Sequence, residues 1–229
     1  MNVSVVIPLL NEAESLPELH DWLVNVLNSN KLSYEIIFVD DGSTDSTVVT
    51  IKSLKNSFIN LIVFDSNKGQ SSALAAGINL ARGTYIVTMD GDFQNDPCDI
   101  PRMVHMISNE NLDMVMGIRK NRQDPILKTF PSKIANFIIR ITTQLNITDS
   151  GCGLKVMTSK VAKDIPLHGY LHRFMALNAY IKGASINEIP IIHHPRTYGV
   201  SKYGLGRIFI VLKDLFLIIF NHKFSRYRI

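Results

Sequence analysis

Apolar residues fall into short runs that are buried strands by type, separated by stretches in which they recur at helical spacing. Residues 3–7 form a nearly continuous apolar run closed by Pro8, and similar runs occupy residues 34–39, 60–64 and 85–89. Between the first two, Leu16, Leu19, Leu23 and Leu27 predict a helix over 16–27, capped by Asn11 or Ser15. A second helix begins within residues 43–46 and runs to about Lys55. A third, over 71–81, is rich in small residues, and Ala73, Ala75, Ala76 and Gly77 suit close packing on a sheet. This β-α-β-α-β-α-β order with short loops predicts an α/β fold with an open, mainly parallel, Rossmann-like sheet flanked by helices.

Further along, the pattern predicts a helix ending near Asn109 and a strand over 113–117. Over residues 130–145, Phe130, Ile134, Phe137, Ile138, Ile141 and Leu145 define one helical face, and Lys133, Asn136 and Arg140 the other. Such a helix either covers the sheet or lies in a membrane interface. An apolar segment at 154–157, a helix across 167–182 and a strand over 186–192 follow. The last helix, over 205–220, carries Phe209, Leu212, Phe216 and Ile219 on one side and is interrupted by Arg207, Lys213 and Asp214. A bilayer core needs ~20 mainly apolar residues, so this amphipathic helix is expected to be interfacial, not spanning.

The 229 residues suffice for one large α/β domain. Cys98 and Cys152 match no zinc or redox spacing, which points to a reduced, cytoplasmic setting. The first strand has no basic region before it, so no signal peptide is expected. Net charge is +4, and it is unevenly placed: after residue 195, seven lysines and arginines face a single acid, Asp214. A basic tail beside apolar residues suits anionic lipid head groups better than nucleic acid.

The candidate chemistry gathers after the strands. Asp90 and Asp92 follow the fourth run one residue apart, with Gln94 two further on. Hard oxygen ligands at the carboxyl edge of an α/β sheet suit Mg²⁺ or Mn²⁺ carrying a diphosphate, although Asp-Gly-Asp is also an ordinary polar turn. Asp40 or Asp41, after the second strand, suits a nucleobase imino group, while Ser43 and Asp45 read as helix caps. Lys68 and Gly69, at a helix start, suit a phosphate. Arg119, Lys120 and Arg122 offer cations for a phosphate or form a solvated loop. His193 and His194 are adjacent on an extended stretch, hence on opposite faces, which argues against a shared metal. The turn after the first strand, residues 9–12, lacks the glycines of a dinucleotide-binding loop, which argues against an NAD or FAD enzyme.

Taken in order, these motifs resemble the inverting family-two glycosyltransferases of GT-A fold. More closely, the chain is similar to the polyprenyl-phosphate branch that includes dolichol-phosphate mannose synthase. Residues 5–12 match the opening strand and base-binding turn, 39–45 the second nucleotide motif and 67–70 the third. Residues 89–97 match the Asp-x-Asp-x-Gln metal motif; Asp149 and Gly153 match an Asp-x-x-x-Gly element, with Cys152 in place of the usual serine. Arg196 with Gly199, Ser201 and Lys202 matches an Arg-x-x-Gly-x-Ser-Lys element.

The resemblance implies a catalytic domain over residues 1–195, with a nucleotide-sugar half to about residue 98 and an acceptor half from about 99. Residues 196–229 would form a basic, amphipathic, membrane-proximal tail. It implies a UDP-sugar, or less readily a GDP-sugar, bound by Pro8, Leu10, Glu12, Val39, Asp41, Lys68, Asp90, Gly91, Asp92, Arg196, Ser201 and Lys202. Metal falls to Asp90, Asp92 and Gln94, and catalysis to Asp92, Arg119, Asp149, Arg196 and Lys202. Arg119 holds the acceptor phosphate; Ser132 and Lys133 stand where the branch has a second arginine. The acceptor is a polyprenyl phosphate at the inner face of the cytoplasmic membrane. Many relatives continue into transmembrane helices, so the chain is expected either to be a piece of such a protein or to dock peripherally or beside a small membrane protein. The Glu-Asp base pair of hydroxyl-acceptor relatives is absent around His172. The competing readings are a transferase acting on a glycan hydroxyl, a nucleotidyltransferase and a non-catalytic membrane-associated binding protein.

Overall fold

A computed structural model describes residues 2–119, 126–143, 145–195 and 207–225. In chain order the elements are β1 (Val3–Leu9), α1 (Leu16–Ser29), β2 (Tyr34–Asp40), α2 (Thr47–Ser53), β3 (Ile59–Val63), α3 (Gln70–Leu80) and β4 (Tyr85–Thr88). Then come α4 (Asp99–Asn109), β5 (Met114–Arg119), α5 (Ile126–Thr143), β6 (Lys155–Thr158), α6 (Ser159–Asp164), α7 (Met175–Ile181), β7 (Ile186–Ile191) and α8 (Arg207–Ser225). The seven strands form one sheet in the order β3-β2-β1-β4-β6-β5-β7. All pairs are parallel except those of β6, which runs antiparallel between β4 and β5.

Both faces of the sheet are covered, which is why its strands read as unbroken apolar runs. Because side chains alternate along a strand, Val6, Ile37 and Ile86 enter one layer with Ala73, Leu74 and Ile78 of α3. Val5, Ile7, Phe38 and Val87 enter the other layer with Leu16, Leu19, Leu23 and Leu27 of α1, all four fully buried as their spacing predicts.

Several boundaries and faces differ from expectation. Ser15 sits at the start of α1 but does not cap it; its hydroxyl donates to the carbonyls of Glu12 and Gly91, both at 3.1 Å. The region 167–182 is no single helix: a 3₁₀ turn over Leu171–Phe174 precedes the short α7. Among the described side chains of α5, Ala135, Asn136, Ile139 and Thr143 are buried, whereas Phe137 is 54% and Ile141 65% exposed. Asn136 is thus inside, and two apolar residues of the face expected either to cover the sheet or to lie in a membrane interface are outside. In α8, Leu215 and Ile219 are buried and Phe216 is 64% exposed, so the side that carries Phe216 and Ile219 is only partly covered. The side chains of Phe209, Leu212 and Lys133 lie outside the described residues, as do Lys120 and Arg122. No described helix is long and apolar enough to cross a membrane.

Candidate active site

The parallel register of β1 with β2 sets Pro8 beside Val39, and the Asp41 amide donates to the Leu9 carbonyl at 2.8 Å. Pro8, Leu10, Glu12, Val39 and Asp41 therefore meet at one edge, at the carboxyl ends of two neighbouring strands. Two loops are stitched together there: the Asn11 amide donates to Ser43 Oγ at 2.8 Å, the Thr44 amide to Asn11 Oδ1 at 2.8 Å, and the Glu12 amide to Thr47 Oγ1 at 2.9 Å. The Val39 side chain is in the core, so only its backbone faces this edge.

Asp41 is buried, and its carboxylate accepts from the amides of Lys68, at 2.7 Å, and Gly69, at 2.9 Å. Burial raises its pKa, and those two amides oppose the rise. Asp40 is also buried; one oxygen accepts from the Ser43 amide at 3.0 Å, and the other has no partner among the described residues. Lys68 itself is exposed, its ammonium 4.7 Å from the centre of the Phe64 ring.

The next strand end carries Asp90 and Asp92. The Asp90 amide donates to Asn95 Oδ1 at 3.1 Å and the Gln94 amide to Asp92 Oδ1 at 3.2 Å, which folds residues 90–95 into a tight turn. Phe93 lies in the left-handed region at φ +67°, a conformation costing a non-glycine residue about 1–2 kcal/mol. The Asp90 carboxylate is oriented from two sides. Gln70 Nε2 donates to Oδ1 at 2.9 Å, and the Gly153 backbone lies so close to Oδ2 that a Cβ there would overlap it. Thr88 Oγ1 donates to the Gly153 carbonyl at 2.9 Å and fixes that approach.

Gly153 ends a turn that begins at Asp149, and Asp149 is paired with Arg119 at the end of β5. Arg119 Nε and Nη2 each donate at 2.7 Å, one to each carboxylate oxygen, and the Arg119 amide adds a bond at 3.2 Å. Both side chains are only 12% exposed. Burial opposes the guanidinium charge, yet Asp149 outweighs it and raises the arginine pKa above its ordinary value.

The turn is held from two further elements. Glu188 of β7 accepts from the Thr148 amide at 2.8 Å, from Thr148 Oγ1 at 2.9 Å and from the Asp149 amide at 3.2 Å. Asn136 of α5 donates to the Thr148 carbonyl at 2.6 Å and accepts from Ser150 Oγ at 2.5 Å.

Sequence reasoning placed Gln70 only within a nucleotide motif and missed Asn136, Glu188 and Lys155. Lys155 lies in β6 with its side chain buried and its ammonium bonded to the Cys152 carbonyl. Burial lowers its pKa, against the pull of Cys152, Asp90 and Asp149. A lysine inside an apolar strand was the available signal. Burial also pushes the Cys152 thiol up to about 12, so the residue in the usual serine position is an inert packing group. Arg196, Ser201 and Lys202 lie outside the described residues.

No group of three or more His, Cys, Asp or Glu residues that could hold a metal is present among the described residues. Asp90 and Asp92 still fit Mg²⁺ or Mn²⁺, because Mg²⁺ is commonly held by one or two carboxylates with substrate phosphates and water completing its shell.

This edge, with carboxylates after a central strand of a mostly parallel, helix-flanked sheet, is the GT-A arrangement. The chain belongs to glycosyl transferase family 2, whose model matches residues 4–165, and is a glycosyltransferase. It is 38% identical over 234 residues to dodecaprenyl-phosphate galacturonate synthase of Rhizobium johnstonii, covering all of this chain and 68% of that one. It is 37% identical over 217 residues to undecaprenyl-phosphate 4-deoxy-4-formamido-L-arabinose transferase of Yersinia pestis, covering 93% of this chain and 66% of that one. The chain thus spans about two thirds of the length of these relatives. The fold is also that of glucosyl-3-phosphoglycerate synthase from Mycobacterium tuberculosis, solved with Mn²⁺ and UDP-glucose: the TM-score is 0.75 at 17% identity, covering 95% of this chain and 78% of that one.

Proposed function

We propose that the protein transfers a sugar, with inversion, from a nucleotide-diphosphate sugar to a polyprenyl phosphate. The observation that carries this reading is the contact of Asp90 with Gly153, in the turn where Asp149 holds Arg119. A donor-side carboxylate and an acceptor-side cation thereby belong to one rigid unit. The donor base lies against Pro8, Glu12 and Asp41, and the diphosphate lies toward Asp90 and Asp92. Asp90 and Asp92 would hold a divalent cation, which would supply charge neutralisation to the departing nucleoside diphosphate. The donor is assigned as a UDP-sugar in preference to a GDP-sugar, in keeping with the UDP-glucose bound by the GT-A neighbour.

A lipid phosphate is already ionised at neutral pH, so its oxygen attacks the anomeric carbon without a strong base. Asp149 therefore acts as the orienting partner of Arg119: both its oxygens are engaged by the guanidinium. Arg119 keeps its charge and presents its remaining N–H groups to the acceptor phosphate. Its burial gives that contact more weight than a solvated arginine would have. Arg196 and Lys202 are assigned to the diphosphate.

Exposed Phe137 and Ile141 on α5, with Ile210, Phe216, Leu217 and Phe220 on α8, support placement at the inner face of the membrane, where a lipid phosphate is delivered. A small membrane protein beside α8 is a compatible partner.

The test is release of nucleoside diphosphate from a panel of UDP- and GDP-sugars, with Mg²⁺ or Mn²⁺, with and without undecaprenyl phosphate in detergent. Release that needs both metal and lipid phosphate is expected. Metal-dependent transfer to a supplied glycan without lipid phosphate would replace this reading with a hydroxyl acceptor.

A further inference from the structure

Phe93 is a large residue held at φ +67° between the candidate metal ligands Asp92 and Gln94. Strain of this kind persists only where surrounding contacts impose it. Those contacts come from two places far apart in sequence. The chain's single tryptophan, Trp22 of α1, sets its ring 5.3 Å from the Phe93 ring and 5.6 Å, edge-on, from the His194 ring. His194 is in turn fixed to the same turn. Its amide donates to the Gln94 carbonyl at 2.9 Å, its carbonyl accepts from Gln94 Nε2 at 3.4 Å, and its Nε2 lies 3.1 Å from Asp96 Oδ2. Next to it, His193 forms an isolated antiparallel bridge with Asn95, whose side chain already accepts from the Asp90 amide.

We propose that Trp22 and His194 are positioning residues for the Asp90–Asp92 site: by clamping Phe93 in its left-handed conformation they preset Asp92 and Gln94 for a metal–nucleoside diphosphate. The inference rests on the functional reading above and adds to it an aromatic wall that touches neither reacting atom. It also makes Trp22 a built-in reporter, because its indole lies directly against the turn that carries the ligands.

The experiment measures UDP binding to the full chain by calorimetry as Mg²⁺ is raised, alongside tryptophan emission with Mg²⁺ alone and with Mg²⁺ plus UDP. In the wild type, emission is expected to change on forming the Mg²⁺–UDP complex. In Trp22→Ala and His194→Ala the Mg²⁺ concentration needed for half-maximal UDP binding is expected to rise about 10-fold or more, with the thermal midpoint nearly unchanged. Trp22→Phe, which keeps a ring against Phe93, is expected to recover most of that loss. Should Trp22→Ala fail to fold, His194→Ala and the wild-type emission still decide. An unchanged Mg²⁺ requirement in His194→Ala, or wild-type emission indifferent to a complex that calorimetry registers, overturns the inference alone. Absence of any Mg²⁺-dependent UDP binding by the wild type overturns the functional reading and this inference with it.

Discussion

The two sides of the candidate site are built differently. On the donor side, Asp41 and Asp90 follow the ends of β2 and β4, which flank β1, with Asp92 two residues further on; the Lys68 and Gly69 amides orient Asp41, Gln70 orients Asp90, and a local turn orients Asp92. On the acceptor side, Arg119 and Asp149 are 30 residues apart, and their geometry depends on Glu188, Asn136 and Thr88, from three separate elements. A strand-end carboxylate is placed by its strand and then needs only one or two donors to orient it. An arginine in a loop-held ion pair needs a network, because a guanidinium buried without its carboxylate is costly.

Mutations should separate the two sides. Asp92→Ala removes a donor-side ligand without disturbing the sheet: transfer is expected to fall by about 10²–10³-fold at an unchanged thermal midpoint, checked by UDP release beside circular dichroism. Gly153→Ala strikes the joint between the sides, because its methyl overlaps the Asp90 carboxylate. A shift of about 1 Å there is expected to cost about 10²-fold in turnover, and donor and acceptor kinetics should both suffer.

Arg119→Lys keeps the charge but loses the two-pronged geometry. Its kcat/KM for lipid phosphate should drop about 10-fold while UDP binding by calorimetry stays as in the wild type. Glu188→Gln leaves the turn with weaker acceptors. It should lower unfolding free energy by about 1–2 kcal/mol in urea titrations and raise the KM for the lipid more than that for the donor. Equal effects of Arg119→Lys on both substrates would contradict the division of labour.

The last effect, on stability alone, concerns His172, outside both sides. Its Nδ1 lies 2.8 Å from Ser71 Oγ, and burial, reinforced by Arg173 and Lys155, lowers its pKa from 6.5 to about 3. With the folded value depressed, the unfolded chain binds the proton first. The contribution is complete above pH 6.5 and is lost as pH falls toward 3, by about 1.4 kcal/mol per unit. Thermal midpoints between pH 7.5 and 5 should therefore fall less steeply in His172→Asn than in the wild type.

Periodicity placed the first four strands and three helices to within a few residues, because strands buried on both faces and a leucine stripe at helical spacing announce themselves locally. It did not reach the reversed direction of β6, which nothing in a four-residue strand encodes. Nor did it choose between sheet cover and membrane interface for α5, whose hidden face includes Asn136 because that amide pins the Thr148–Ser150 backbone, while Phe137 and Ile141 face outward.

By itself, then, the sequence determined the α/β sheet and the residue types at its carboxyl edge: acids after β2 and β4, a cation after β5. Those follow from patterns that span a single element. Only the tertiary structure decided that Gly153 abuts Asp90, that Asp149 spends both oxygens on Arg119 and that Trp22 lies against Phe93. Each of these joins residues from different elements, and such contacts depend on how strands are ordered in the sheet, a choice made by the packing of the whole chain and not by any local run of side chains.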